Sequence, residues 1–512
     1  LSFYLKPSNF FLGIGKIVTY TLLTGFLFKN CSTTMNSTYT ETSIASIADV
    51  FAMQQKTAVK LRKSTADERI AKLKKLATTI EKYESAFIEA MYADFRKPRQ
   101  EVIATEILPT LMDTRHAIAN LRKWMKMKRV GTPASLFGAS SYVKYEPKGV
   151  SLIIAPWNYP IYLVFGPLVY AIAAGCTAMV KPSELTPNTS VVIGRVLAEA
   201  FDAAEIACFE GGVEVSTALL ELPFNHIFFT GSPAIGKVVM QAAAKHLTSV
   251  TLELGGKSPA FIDESTDLKD AAEKLVWGKF VNNGQTCVAP DYLLVKREKQ
   301  EALISEMKLA IERYYNTDRQ GIERSQSYAR IVNDRHFQRI SQLIGDALEK
   351  GAYIETGGKT IAEERFIEPT ILTNVTTHMK IMQEEIFGPV LPIIAYDNLG
   401  EAIDFVNSMD KPLALYIFSK SDEKINRILQ ETSAGGTCIN DCVVHLVNHD
   451  LPFGGVNNSG IGKTHGFYGF EAFSNTRAVL RQRVGFTTVK TLYPPYGEKI
   501  DSMLKMMRRF FA

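Results

Sequence analysis

From Ile44 to about Met127, apolar residues recur at helical spacing, as in Ile70-Ala71-Lys72-Leu73-Lys74-Lys75-Leu76. Ser64 with Asp67, and Thr65 with Glu68, both fit the capping-box pattern that opens a helix. The charged residues of this region gather on one face, so its helices read as an outer packing layer without functional content.

The pattern then changes to short apolar runs alternating with helical stretches. Gly149-Val150-Ser151-Leu152-Ile153-Ile154-Ala155 reads as a buried strand from its β-branched content, stopped by Pro156. A helix from Phe165 to Gly175, a strand at Thr177-Ala178-Met179-Val180 and a helix from Ser190 to Ala203 follow. His226-Ile227-Phe228-Phe229-Thr230 is a third strand, leading through Gly231-Ser232 into a helix from about Ala234 to His246. Val250-Thr251-Leu252-Glu253-Leu254 is a fourth strand, followed by Gly255-Gly256. Such alternation predicts a parallel sheet covered by helices, with ligands at the carboxyl ends of the strands.

A second α/β series begins after Gly256. It holds Ser258-Pro259-Ala260-Phe261-Ile262, a helix around Lys269 to Lys279, Tyr292-Leu293-Leu294-Val295 and a helix-rich stretch from Glu298 to Glu349. Pro369-Thr370-Ile371-Leu372 and Val390-Leu391-Pro392-Ile393-Ile394 complete it. The fold class is therefore α/β, with two α/β domains in tandem and no internal repeat.

Composition adds boundaries to this picture. The 512 residues are 46% hydrophobic and 22% charged, ordinary for a globular chain able to bury large cores without disulfides or a structural metal. The net charge of +5 is small, and Lys and Arg are scattered, so no nucleic-acid footprint is present. The 6 cysteines are too widely spaced for a disulfide scaffold. Cys438 and Cys442 precede His445 and His449, but no second ligand pair comes before them, so ordinary cysteines are preferred to a zinc site. Residues 10–28 are nearly all apolar and match the ~20 residues of a membrane helix. They read either as an anchor or signal, or as sequence absent from the mature protein, since ordinary soluble sequence starts after Met35.

The residues that can carry chemistry fall just after strands. Asn158 follows the first, Lys181 and Glu184 the second, Gly231 and Ser232 the third, and Glu253 ends the fourth. Gly231 to Lys237 nearly fits the nucleotide-hydrolase phosphate loop, but Val238 stands where that loop needs a hydroxyl for Mg²⁺. The glycine turn opening a helix still offers backbone N–H groups to a phosphate, and a plain strand–helix turn is the alternative. Taken singly, Glu253, Glu385 and Asn158 read more readily as a strand end, a surface acid and a turn residue than as functional groups. Cys287 lies in the polar loop Asn282-Asn283-Gly284-Gln285-Thr286, where a substrate could reach it, whereas structural cysteines favour apolar elements; taken alone, a lone cysteine still reads more often as structural.

Together, however, Pro156-Trp157-Asn158, Lys181-Pro182-Ser183-Glu184, Phe229-Thr230-Gly231-Ser232, Leu252-Glu253-Leu254-Gly255-Gly256-Lys257, Gly284-Gln285-Thr286-Cys287 and Glu385-Ile386-Phe387-Gly388-Pro389 resemble the aldehyde dehydrogenase superfamily. They stand in that family's order, with its interval of 34 residues from Glu253 to Cys287. Cys287-Val288-Ala289-Pro290-Asp291-Tyr292 and Tyr493-Pro494-Pro495-Tyr496 are similar to the class 3 branch, which acts on fatty and aromatic aldehydes. The tail Met503 to Phe511 is too short to span a bilayer, unlike the anchors of mammalian fatty-aldehyde members.

This resemblance implies a Rossmann-like cofactor domain over 44–254 and a catalytic domain over 255–450. A segment 451–490 would return to the cofactor domain and serve oligomerisation, before a tail at 491–512; residues 1–35 form an extension. It implies NAD(P)-dependent oxidation of an aldehyde to a carboxylic acid, with Cys287 as nucleophile, Asn158 on the oxyanion and Glu253 as the base that hydrolyses the thioester. Lys181 and Glu184 would meet the adenosine ribose, Gly231, Ser232, Gly236 and Lys237 the pyrophosphate region. Glu385 would meet the nicotinamide ribose and Phe387 the nicotinamide, and Glu385 also activates water or thiol in class 3. Glu184 should favour NAD, with NADP also accepted. The expected protein is a cytoplasmic homodimer, membrane-associated only if residues 10–28 are retained. Retention of Glu253 argues against a branch that passes the acyl group to coenzyme A, and intact Cys287, Glu253 and Asn158 argue against a non-catalytic use of the fold.

Overall fold

Strands buried along their whole length lie at the centre of two sheets, the pattern expected when helices cover both faces. The computed structural model describes residues 41–511. The chain divides into the units Leu1–Thr38 and Tyr39–Ala512, and every described residue lies in the second. The apolar stretch 10–28 and the extension 1–35 lie outside the described residues.

The first sheet has six strands in the order Gly460–Ile461, Ser249–Leu254, His226–Gly231, Val150–Ile154, Thr177–Lys181 and Ile206–Cys208. Five run parallel, and Gly460–Ile461 alone runs antiparallel, with Gly460 opposite Glu253. Alternate residues serve opposite faces. Leu152 and Ile154 join one apolar cluster with Phe51 and Val239. Ile153 joins another with Leu73, Phe165 and Val196. The chain leaves Val150–Ile154 toward one edge and later returns to its other side with His226–Gly231, so the strand order reverses between these two. A doubly wound sheet places its ligand crevice at such a reversal.

The second sheet runs Tyr353–Thr356, Thr370–Thr373, Val390–Tyr396, Tyr292–Lys296, Pro259–Ile262, Ala414–Phe418 and Gly436–Ile439, parallel except for its first strand. A third sheet pairs Lys128–Val130, Ala139–Pro147 and Ser474–Gln482 antiparallel, joining the approach to the first sheet with the late part of the chain.

The four predicted strands of the first series form, and the helices between them occupy Tyr162–Ala174, Pro187–Ala200 and Pro233–Ala244. Ile206–Cys208 has three residues, too few to show a period. Of the two capping boxes, Thr65 with Glu68 forms in full. Ser64 does not cap: its hydroxyl donates to the Leu61 carbonyl at 2.5 Å and accepts from Arg69 Nε at 2.8 Å. The expectation that the N-terminal helices are only an outer packing layer does not hold, because part of this region lines a cavity. A π-helical turn, Ile103–Ile107, interrupts them and feeds the helix Leu108–Trp124, and both face the cavity described below. The i→i+5 turn widens the helix locally, which is how such insertions redirect side chains into sites.

Candidate functional site

Cys287 lies three residues beyond a turn, Val281–Gly284, in which Asn282 (φ 54°) and Asn283 (φ 57°) are left-handed. Asparagine tolerates this conformation better than other side chains. The loop is polar because its buried backbone needs partners, not because it meets water. Asn282 Nδ2 donates to the Asn158 carbonyl at 2.9 Å and to the Gln285 carbonyl at 3.1 Å. Gln285 Nε2 donates to the carbonyls of Asn282 and Arg330, both at 3.0 Å, and its Oε1 accepts from Val332 N at 3.0 Å. Asn158 Nδ2 donates to the Gln285 carbonyl at 3.0 Å. That bond uses one of two amide hydrogens and fixes the plane of the second. Asn158, after the first strand, and Cys287, 129 positions later, are thus tied through a single residue, Gln285.

Glu253 is 5% exposed, and neither carboxylate oxygen has a hydrogen-bond partner among the described residues. Burial raises its pKa well above the ordinary carboxylate value, with Lys463 opposing the rise. Glu385 follows the same logic: burial and then Asp291 push it up to about 8. It packs over Gly255, where a side-chain carbon would come 2.0 Å from Glu385 Oε2. Burial, then Glu385 and Glu253, push the Cys287 thiol up to about 12. One thiol and two carboxyls therefore compete to avoid charge in one place. Both carboxyls therefore hold a proton more readily than an exposed one.

Cys287, Thr286 and Glu253 line one cavity of about 190 Å³. Its walls are chiefly apolar, from Leu163, Trp277, Val443, Leu446 and Phe453. Ala104, Thr105 and Pro109 close it from the π-helical side, and Asp113, Tyr162 and His465 supply its polar part. Asp113 is fully engaged, accepting from Tyr170 OH at 2.8 Å, Tyr162 OH at 3.1 Å and paired to His449 Nδ1 at 2.9 Å.

The cofactor candidates divide between neighbouring strand ends. Lys181 Nζ meets Glu184 Oε2 at 2.6 Å. Ser232 caps the helix Pro233–Ala244, its hydroxyl accepting from Ile235 N at 3.4 Å. Gly231 ends its strand, and Lys237 is exposed on the helix. Gly236 lets the helix lie on the sheet, since a side-chain carbon there would meet Leu254 Cδ2 at 2.7 Å. Phe387 packs edge-on against Trp157 at 5.3 Å between centroids. The structure therefore brings Cys287, Glu253 and Asn158 together, sets Glu385 beside them, and keeps Lys181, Glu184, Ser232 and Lys237 at the strand ends and the following helix. Among the described residues no three His, Cys, Asp or Glu side chains converge as a metal site. Cys442 instead donates to the Lys274 carbonyl at 3.2 Å. No helix of the described residues is long and apolar enough to cross a membrane.

Sequence reasoning missed Lys463, Asp113, Tyr162, His465 and the buried pair Lys97–Glu106. Lys97 and Glu106 meet at 2.6 Å with both side chains fully buried, and Glu106 also accepts from Ile161 N at 2.8 Å. Lys463 sits in a short glycine-flanked segment that carries no periodicity, so nothing in its neighbourhood marked it.

Known proteins resemble the chain over most of its length. Residues 30–479 match the model of the Aldehyde dehydrogenase family. Aldehyde dehydrogenase family 3 member A2 of Rattus norvegicus is 43% identical over 438 residues, 85% of this chain and 89% of that protein. The dimeric NADP-preferring aldehyde dehydrogenase of Canis lupus familiaris is 42% identical over 441 residues, 86% of this chain and 94% of its own. A substrate-bound structure of Staphylococcus aureus AldH superposes with a TM-score of 0.86 at 44% identity, covering 91% of this chain and 99% of that one. A Mycobacterium tuberculosis aldehyde dehydrogenase complexed with NAD+ gives a TM-score of 0.79 at 28% identity, covering 87% and 92%.

Proposed function

The chain belongs to the aldehyde dehydrogenase family and oxidises aldehydes, and we propose that it does so with NAD(P) through a thioester on Cys287 that Glu253 delivers to water. The observation that carries this reading is that Cys287 and the unpartnered Glu253 line one cavity, while the amide of Asn158 is fixed to the Cys287 loop through the Gln285 carbonyl.

The residues present fit a dinucleotide. A capped twelve-residue helix opens after a central strand, the Lys181–Glu184 pair stands at a neighbouring strand end, and Glu385 and Phe387 lie on the side of Cys287. When bound, the cofactor supplies the acceptor for the hydride that the substrate carbon loses. Glu184, paired with Lys181 at the strand end, would meet the adenosine ribose and disfavour a 2′-phosphate there, which ranks NAD ahead of NADP.

The chain's own groups do the rest. The Cys287 thiol passes its proton to a buried carboxylate, and its sulfur bonds the aldehyde carbon while the carbonyl electron pair moves onto oxygen. The free amide hydrogen of Asn158 and the Cys287 N–H stabilise that oxyanion, a contact worth about 3–4 kcal/mol per donor. After hydride loss a thioester remains. Glu253, ionised, takes a proton from water as the hydroxide oxygen bonds the acyl carbon, and the C–S bond breaks to return the thiolate and release the acid. The domain boundaries 44–254, 255–450 and 451–490, and a homodimer joined through the late segment, belong to the same proposal. The antiparallel partnership of Ser474–Gln482 with Ala139–Pro147 supports a structural role for that segment.

Cys287→Ser is expected to abolish NADH formation from any aldehyde while NAD binding, read by protein fluorescence, persists. Turnover retained in that variant refutes the nucleophile. Acyl transfer that requires coenzyme A, rather than release of free acid, refutes the hydrolytic step.

A further inference from the structure

Glu253 is buried without a hydrogen bond, yet its reaction requires it charged. Such a group needs a counter-charge held nearby, because in a low-dielectric cleft the desolvation cost otherwise keeps the carboxyl neutral. Among the described residues the cation that faces it is Lys463. The ammonium is anchored from several directions. Nζ donates to the Gly454 carbonyl, to the Gly455 carbonyl at 3.3 Å and to the Gly435 carbonyl at 3.4 Å.

Gly454 makes this approach feasible. A side-chain carbon there would lie 2.8 Å from Glu253 Oε1 and 3.1 Å from Lys463 Cδ. Its absence leaves the lysine stem and the carboxylate on either side of one backbone position, at φ 145° that other residues rarely adopt. The Lys463 segment also adjoins Gly460–Ile461, the strand that pairs with Ser249–Leu254 and sets Gly460 opposite Glu253. Glutamate and the backbone two residues before the lysine are thus held together by a strand pairing. The other titratable group facing Glu253 is the Cys287 thiol from the nucleophile loop; Glu385, across Gly255, faces that thiol, and His465 lines the same cavity.

We propose that Lys463 is a positioning residue for the hydrolytic half of the reaction: its anchored ammonium holds Glu253 in the ionised form that removes a proton from water. The proposal rests on Glu253 being the base. Hydride transfer precedes that step and does not call on Lys463, so the two halves of the reaction should respond differently.

The test is rapid-mixing NADH formation across pH with Lys463→Met, Lys463→Gln and Lys463→Arg, beside Glu253→Gln. An opposite charge at close range lowers a carboxyl by about one unit or more. In the Met and Gln variants the acid limb of the steady rate after the burst should move up by about one pH unit, slowing turnover on that limb roughly tenfold. The burst amplitude should be unchanged, and Arg should restore the limb. An unmoved limb in both neutral variants overturns the proposal. So does a limb that stays displaced in the Arg variant, or loss of the burst in all three, which would assign Lys463 to the architecture of the pocket. Glu253→Gln separates the two claims: unchanged steady turnover there refutes the base itself, whereas stalling there with an unmoved limb in the Lys463 variants refutes the lysine alone.

Discussion

Two glutamates, one from the N-terminal helical region and one from the first sheet, are buried to nearly the same degree and treated in opposite ways. Glu106, on the helical side, is fully buried and satisfied: Lys97 meets it at 2.6 Å and two backbone N–H groups, of Ile161 and Tyr162, donate to its other oxygen. Glu253, on the strand side, has both oxygens unpartnered. A carboxylate with both oxygens engaged by fixed donors is structural, since little capacity is left for a proton transfer. One left without partners costs stability and has that capacity. Burial alone does not mark a catalytic acid; unsatisfied burial at a cavity does.

The comparison breaks most readily in kinetics. Glu253→Gln should leave a burst of NADH, then reduce steady turnover about 10²- to 10⁴-fold, the usual share of a general base. Steady turnover at the wild-type rate would place Glu253 with Glu106 as a structural group.

Stability should show the reverse order. Glu106→Ala strands the Lys97 ammonium in a dry site, a change that costs about 3–5 kcal/mol. Chemical denaturation should reveal this loss, and Lys97→Met combined with Glu106→Gln should recover most of it. A loss no larger than that of a surface substitution would show that the pair is not structural.

The smallest effect expected is a gain. Glu253 has a folded pKa raised above its unfolded value, so the native state binds the extra proton, and its stability falls as pH rises from the ordinary carboxylate range toward the raised value. Glu253→Gln removes that slope. The variant should exceed the wild type by about 0.5–2 kcal/mol above that window and by little at pH 4. A gain equal at both pH values would mean that the cost of Glu253 is not one of ionisation.

The alternation of apolar runs showed the first sheet because its strands are parallel and buried throughout, and such strands are continuous apolar stretches between turn residues. It also showed the sites just after them, since strand ends are where such a sheet opens. The pocket wall was hidden for the same reason in reverse. Asp113 and the turn Ile103–Ile107 sit on helices whose charged faces resemble any solvated surface, and a single extra residue per turn leaves no mark in a period count. Lys463 and Gly460–Ile461 reach the site only through a pairing across more than 200 positions, which local pattern does not encode. The loop before Cys287 was legible as polar, but its polarity serves buried backbone rather than solvent.

The strand Gly460–Ile461 bears on timing. During synthesis Cys287 emerges long before the segment that pairs with the Glu253 strand and carries Lys463. A nascent chain paused between the two therefore holds a sulfur without the partner strand that frames its base. The strand that borders Glu253 can therefore pair only once residue 461 has been made, 174 positions after Cys287.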